Sequence, residues 1–115
     1  MINIMEELND DLKREGKNWA DIEWAYIRCN VNQIEATLKP EYSMDDLEHF
    51  MEILKDMGWY DDEHGWQDLY GVVVLKQGGW FTRKEMDGAE WWQYNIKPTF
   101  EAFIKDADER MDTEE

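Results

Sequence analysis

Cysteine and positive charge are both scarce in this chain. Cys29 is the only cysteine among 115 residues, so no disulfide can form within the chain and a reducing compartment, the cytoplasm, is expected. The apolar residues two positions to either side, and the lack of a CxxC partner, favour a small core residue over a nucleophile. The N-terminus has no signal-peptide pattern, and no apolar run has the length of a membrane span. We therefore expect a soluble protein without a membrane partner.

The shortage of positive charge restricts the class of partner. Twelve Lys and Arg residues stand against 28 Asp and Glu, which gives a formal net charge of −16. A field of this sign repels nucleic acid and anionic membranes and attracts basic surfaces. Direct binding of nucleic acid is therefore disfavoured, whereas a basic protein that itself binds nucleic acid is a favoured partner.

Common catalytic motifs are missing as well. The sequence has no GxSxG, no phosphate-binding loop and no GxGxxG, and His49 has no HExxH partner. We therefore predict that the protein is not an enzyme and has no catalytic residues, no metal and no cofactor.

Apolar and aromatic residues, by contrast, are plentiful. They make up 43% and 14% of the chain, and seven of them are Trp. This is enough to form a core, and the length fits a single domain over residues 1–115.

Hydrophobic periodicity predicts the order α-β-β-α-β-β-β-α. Residues 3–15 have helical spacing, and Ser43 with Asp46 forms a capping box before a second helix that Gly58 ends. From Asp21 the apolar period changes to two, with Ile22, Trp24 and Tyr26 alternating with polar or small residues. This order predicts an α+β fold in which helices cover one side of an antiparallel sheet of about five short strands, built as two hairpin units. The other predicted strands are 33–39, 69–76, 80–86 and 89–96, and a final helix follows Thr99 with Phe100, Phe103, Ile104 and Ala107 on one face.

The Asp87-Gly88 dipeptide predicts a two-residue hairpin turn. With that turn, Arg83 faces Trp92, and the neighbouring Trp91 points to the other side of the sheet. At most one of the two indoles can therefore lie in the core. The other would lie on the outer face, where Arg83 against Trp92, or Lys84 against Trp91, would gain about 0.5–1 kcal/mol as a cation–π pair.

Two clusters of acids have alternative interpretations. The turn also places Glu85 opposite Glu90, a paired-carboxylate arrangement in which one pKa would rise. Their position beside an exposed turn favours an ordinary, water-screened pair over catalysis. The run from Asp61 to His64 has oxygen and imidazole groups suited to a divalent ion, but its spacing fits no EF-hand loop and favours an ordinary loop.

The acids between residues 41 and 68 are the most informative feature. Four of them follow one another at spacings of three, four and four residues, which predicts one stripe on the second helix. Such a stripe is about 16 Å long with roughly one charge per 5.5 Å, about a third of the density of duplex DNA. Two further rows, from the 61–63 loop and the C-terminal helix, would be needed to imitate DNA, and the alternative is a solvated face. The acids expected to bind a partner are Asp45, Glu48, Glu52, Asp56, Asp61, Asp62 and Glu63, with Trp91 or Trp92 as an aromatic anchor.

The hairpin has the form W-x-x-R-x-E-x-D-G-x-E-W-W. With this hairpin and the preceding apolar strand, the half of the chain from Leu47 resembles small acidic phage-encoded proteins. The resemblance does not indicate an activity. It implies a phage-encoded protein in the host cytoplasm, where small acidic phage proteins block host or defence enzymes. The matching positions are Trp80, Arg83, Glu85, Asp87, Gly88, Glu90, Trp91 and Trp92.

Three hypotheses follow. The leading one is an inhibitor that imitates DNA and covers the basic groove of a CRISPR effector, restriction enzyme, nuclease or polymerase. The second is a structural or regulatory module that pairs with another protein through the Trp-bearing face of the sheet or through an edge strand. The third and least favoured is an enzyme built on Glu85 and Glu90 or on residues 61–64.

Overall fold

The computed structural model describes residues 1–61, 67–101, 104–105 and 107. Two helices, a short 3-10 helix and seven strands have their full bounds within these residues, and a further helical segment from Phe100 is described in part. The fold is α+β, as the sequence predicts. The elements in chain order are β1 (Ile2–Asn3), α1 (Ile4–Arg14), the 3-10 helix (Trp19–Asp21), β2 (Ile22–Cys29), β3 (Ile34–Leu38), α2 (Met44–Met57), β4 (Trp59–Tyr60), β5 (Leu69–Leu75), β6 (Trp80–Met86) and β7 (Ala89–Asn95).

Both helices begin at a side chain that caps the backbone. The Asn3 carboxamide accepts a hydrogen bond from the Glu6 backbone N–H at 2.9 Å and starts α1. At α2 the predicted capping box is present, since the Ser43 hydroxyl and the Asp46 carboxylate each bind the other residue's backbone N–H, at 3.1 and 3.0 Å. A cap of this kind stabilises a helix by about 1 kcal/mol.

The main sheet has the order β3-β2-β5-β6-β7, and all its neighbouring strands are antiparallel. It joins the two predicted hairpin units through the pairing of β2 with β5. The face under α1 and α2 forms one core with both helices, to which α1 contributes Ile4 and Leu8 and α2 contributes Phe50 and Leu54. The opposite face is called the distal face below. Its side chains, by strand alternation, include Trp24, Tyr26, Tyr70, Val72, Val74, Trp80 and Trp91.

Strand β2 departs from the predicted alternation. The pairing with β5 shifts register between Ile22 and Trp24, a β-bulge that adds one residue to the strand. After the bulge the buried side chains are Ala25, Ile27 and Cys29, so Trp24 and Tyr26 lie on the distal face rather than beside Ile22. The expectation that Ile22, Trp24 and Tyr26 share one face is therefore wrong. Cys29 is fully buried, as expected of a core cysteine.

A second, two-stranded sheet pairs the strand before α1 with the strand after α2. Ile2 pairs with Tyr60 and Asn3 with Trp59, so β1 and β4 run antiparallel. Between the helix end at Gly58 and residue 69 the sequence predicts no strand, and this is wrong for Trp59 and Tyr60. A two-residue ladder between positions this far apart leaves no local pattern to detect.

The predicted final helix lies only partly within the described residues. Phe100, Glu101, Ile104 and Lys105 are helical, whereas Phe103 is outside the described part. Phe100 and Ile104 are exposed. In the part of the chain that the structure describes, no helix is long and apolar enough to cross a membrane.

Candidate partner-binding surface and the ion cluster beneath it

The predicted acidic stripe occupies the outer side of α2. Asp45, Glu48, Glu52 and Asp56 are all exposed. On the opposite side of the same helix the buried residues are Leu47, Phe50, Leu54 and Met57, while Met51 is half-buried. The buried side fixes α2 on the sheet. The four carboxylates therefore keep fixed positions relative to one another along the exposed side of the helix.

Helix α1 packs beside α2 and adds acids that the sequence reasoning missed. It carries Glu6, Glu7, Asp10 and Asp11, so the two helices together hold nine acids against three bases. Glu6 and Asp10 are exposed and lie one turn apart. The sequence did contain a signal for this second row, in the acids at 6, 7, 10 and 11. Nothing local indicated that α1 would lie beside α2.

Between the helices a cleft of about 220 Å³ opens on this acidic surface. Met5 from α1 and Met51 from α2 line its apolar part, and Glu48, Glu52 and Lys55 line its rim. The cleft therefore places flexible apolar side chains next to two members of the acidic stripe.

Other acids predicted near this surface have different positions. Asp68 is completely buried, so it adds nothing to an exposed acidic face. Asp61 is half-buried, while Asp62, Glu63 and His64 lie outside the described residues. The rows expected from the 61–63 loop and the C-terminal helix are for the same reason not described. Among the described residues, no group of three or more His, Cys, Asp and Glu side chains is placed to hold a metal ion.

The predicted hairpin register is present. Arg83 pairs with Trp92 and Lys84 with Trp91, and the two turn residues, Asp87 and Gly88, have φ of 52° and 87°. Positive φ at both positions is the turn geometry that matches the twist of the flanking strands. Trp92 is buried at 5% exposure and Trp91 is 38% exposed, which settles which indole belongs to the core.

Glu85 and Glu90 do not form a paired-carboxylate site. Their backbones face each other, but Glu85 is exposed and accepts a hydrogen bond from the Gly88 N–H, whereas Glu90 is buried. The expectation that water screens both acids is wrong for Glu90. Its carboxylate accepts hydrogen bonds from Arg83 Nε and from the backbone N–H groups of Asp68 and Leu69, at 2.9, 2.6 and 3.1 Å. Every one of these contacts is structural.

Arg83 is the centre of this buried cluster. Its guanidinium carbon lies 5.1 Å from the ring centroids of both Tyr60 and Trp92, and its Nη1 donates to Glu7 at 2.8 Å. The predicted cation–π pair with Trp92 therefore exists, but in the core instead of on the outer face. The cluster connects α1, β4, β6 and β7 through charge-assisted hydrogen bonds.

Burial changes the ionisation of the groups around Arg83. Desolvation raises the pKa of Glu7, an effect that its contacts with Arg83 and Tyr60 oppose. Desolvation also raises the pKa of Tyr60, whose hydroxyl donates to Glu7 at 2.7 Å. The pKa of Asp11 rises for the same reason, against the opposing effect of Arg14.

Comparison with known proteins does not assign the chain to a family. No known family matches the chain, and neither a curated protein nor a solved structure matches it. The likeness of the hairpin to phage-encoded proteins stays a prediction.

Proposed function

We propose that the protein is a non-enzymatic inhibitor that binds a basic nucleic-acid groove of a host or defence enzyme through the outer side of α1 and α2. The observation that carries this proposal is the fixed, exposed row of Asp45, Glu48, Glu52 and Asp56 on a helix whose other side is in the core. A row of like charges on a rigid element meets a basic groove without first being ordered, which lowers the entropic cost of binding.

Charge density supports the same proposal. The α2 row has roughly one charge per 5.5 Å along the helix axis, and duplex DNA has about one per 1.7 Å. Glu6 and Asp10 on the neighbouring α1 provide one of the two additional rows that would bring the surface closer to DNA. The Met5–Met51 cleft lies between the rows and offers an apolar contact of the kind that adds affinity at the centre of an interface.

A displacement assay tests this proposal. Purified nucleic-acid enzymes, including a CRISPR effector, a restriction endonuclease and an RNA polymerase, are loaded with a fluorescent duplex and titrated with the protein. We expect release of the duplex from at least one enzyme. We expect no release by a variant in which the α2 row is neutralised with Asp45→Asn, Glu48→Gln, Glu52→Gln and Asp56→Asn.

A matched control removes the same amount of charge elsewhere. Glu23, Glu35, Glu41 and Glu101 are exposed and lie outside α2, and their replacement by Gln also removes four negative charges. This control should displace the duplex nearly as well as the wild type. If it loses as much activity as the α2 variant, overall charge and not the α2 row is responsible.

A second candidate function rests on the distal face. Tyr70 and Trp91 are 41% and 38% exposed there, and the half-buried Trp24 and Trp80 lie on the same face. Exposed aromatic residues of this kind are enriched at protein interfaces. A pairing module of this type would lose its partner on Trp91→Ala and keep it in the α2 variant, the reverse of the result expected above. Trp92→Ala does not discriminate, because Trp92 is in the core.

A further inference from the structure

A cavity separate from the α2 row lies where α1, the β1–β4 ribbon and strand β7 meet. Its volume is about 530 Å³. Trp59 from β4, Trp91 and Trp92 from β7, and Glu6 and Asp10 from α1 are among the residues that line it. Strand β7 is at the end of the main sheet, so the cavity is at a sheet edge.

Some of the acidic groups around the cavity are hydrogen-bonded within the protein, and others are exposed to solvent. Four carboxylates are among the described residues that line it. Of these, Glu7 accepts hydrogen bonds from Arg83 and Tyr60, and Asp11 accepts one from Arg14 at 2.9 Å. Arg14 is the one basic side chain in the same described lining. Glu6 and Asp10 are exposed and spaced by four residues, so both carboxylates are at one side of α1. They give the cavity an excess of negative charge.

One indole stands open to solvent at this cavity. Trp59 is 54% exposed, whereas the Trp91 side chain points to the distal face and only borders the cavity at the sheet edge. An aromatic face attracts a cation through its ring quadrupole, and indole does so most strongly. Carboxylates and an exposed indole at one cavity are therefore complementary to an organic cation with a flat or weakly hydrated head.

The protein itself binds a guanidinium in these surroundings. The Arg83 head is stacked between Tyr60 and Trp92 and is held by Glu7 and Glu90. Trp92 and Glu7 also line the cavity, so the cavity and the internal arginine site have two residues in common. Rings and carboxylates in this region thus already have the arrangement that a guanidinium requires.

We propose that the cavity binds the side chain of an arginine on a partner protein. The guanidinium would stack on Trp59 and pair with Glu6 and Asp10. Arginine is preferred over lysine because its planar head both stacks on rings and binds carboxylates with two parallel hydrogen bonds. The cavity lies outside α2, so this proposal does not rest on the proposed function of the α2 row.

Binding of a small probe tests the proposal without any partner protein. N-acetyl-arginine amide is titrated into the protein while indole fluorescence and calorimetric heat are recorded. We expect saturable binding, about tenfold weaker with N-acetyl-citrulline amide, which has nearly the same shape but no charge. N-acetyl-lysine amide should bind less tightly than the arginine probe. Equal binding of citrulline or of lysine would overturn the proposal, as would the absence of saturation.

Variants locate the site. We expect Trp59→Ala to weaken binding of the arginine probe at least about fivefold, and the pair Glu6→Gln with Asp10→Asn to do the same. The fold should be retained because all three side chains are exposed. Thermal melting checks this. The matched pair Glu48→Gln with Glu52→Gln removes the same charge from α2 and should leave binding unchanged. If the α2 pair weakens the probe as much, the attraction is general and the site is refuted. A positive probe result with a failed duplex displacement would refute only the proposed function of the α2 row.

Discussion

The guanidinium carbon of Arg83 lies 5.1 Å from the ring centroid of Trp92, on the side of the β6–β7 hairpin that faces the core. Glu90, two residues before Trp92, holds the same guanidinium through Nε and Nη2. A pair of charges is therefore enclosed where a hairpin built from residues 80–95 would ordinarily bury apolar side chains. The turn at Asp87-Gly88 determines this arrangement, because it selects which residues of β6 and β7 face each other.

The buried carboxylate of Glu90 should matter far more for stability than its neighbour across the turn. Glu90→Ala leaves the Arg83 charge buried without one of its two acids, a change that costs about 3–5 kcal/mol. Glu85→Ala removes one hydrogen bond at an exposed position and should cost about 0.5–1.5 kcal/mol. Urea denaturation measures both. Similar losses for the two variants would contradict the structural role assigned to Glu90.

Substitution of each of the two neighbouring indoles should change the free energy of unfolding by a different amount. Trp92→Ala creates a cavity in the core and should lower the free energy of unfolding by about 3–5 kcal/mol. Trp91→Ala should change it by no more than about 0.5 kcal/mol, since the side chain is on the distal face and partly exposed. Thermal melting followed by circular dichroism is sufficient. A loss at Trp91 as large as that at Trp92 would mean that both indoles are packed.

Local sequence signals were enough for the parts of the fold that depend on neighbouring residues. The Ser43–Asp46 capping box and the Asp87-Gly88 turn both act over three or four positions, and both are found as predicted. From the turn, the register of β6 on β7 follows by counting. This is also why the opposite orientations of Trp91 and Trp92 could be predicted.

Features that depend on distant residues could not be predicted in this way. The bulge at Ile22 and Trp24 reverses the faces of β2 without any proline or glycine to mark it. The burial of Glu90 depends on the backbone of Asp68 and Leu69, more than 20 positions away. The two rows of acids likewise become neighbours only because α1 and α2 pack side by side on the sheet.

The middle of β5 should accept no side chain at position 71. A Cβ on Gly71 would collide with the main-chain carbonyl oxygen of Tyr26 and would lie 3.0 Å from the Cα of Ile27 in the paired strand β2. Gly71→Ala should therefore destabilise the fold by more than about 2 kcal/mol. Gly78→Ala is the control, because it has a positive φ of 85° but nothing within 4 Å of its Cβ position, and should cost about 1–2 kcal/mol. Equal melting temperatures for the two variants would contradict the β2–β5 register.

Glu7 should make stability depend on pH. Because burial raises its pKa above the ordinary value of 4.5, the folded protein keeps this proton over a range of pH in which the unfolded chain has lost it. The folded state then binds more protons, and its stability falls as pH rises from 4.5 through the raised pKa. Glu7→Gln abolishes this titration. The free energy of unfolding of the wild type minus that of Glu7→Gln should therefore decrease with rising pH in that window, and a difference that increases would show that ion pairing with Arg83 outweighs burial.

The dependence of partner binding on salt is the most direct measurement of electrostatic docking by the α2 row. Between 0.1 M and 1 M salt the Debye length falls from about 10 Å to about 3 Å, so attraction between exposed charges is largely lost. For an enzyme from which the protein displaces a duplex, we predict that the dissociation constant rises steeply over this range. The variant with Asp45, Glu48, Glu52 and Asp56 neutralised should bind weakly with a much shallower dependence. A wild-type dissociation constant that stays the same from low to high salt would contradict the account.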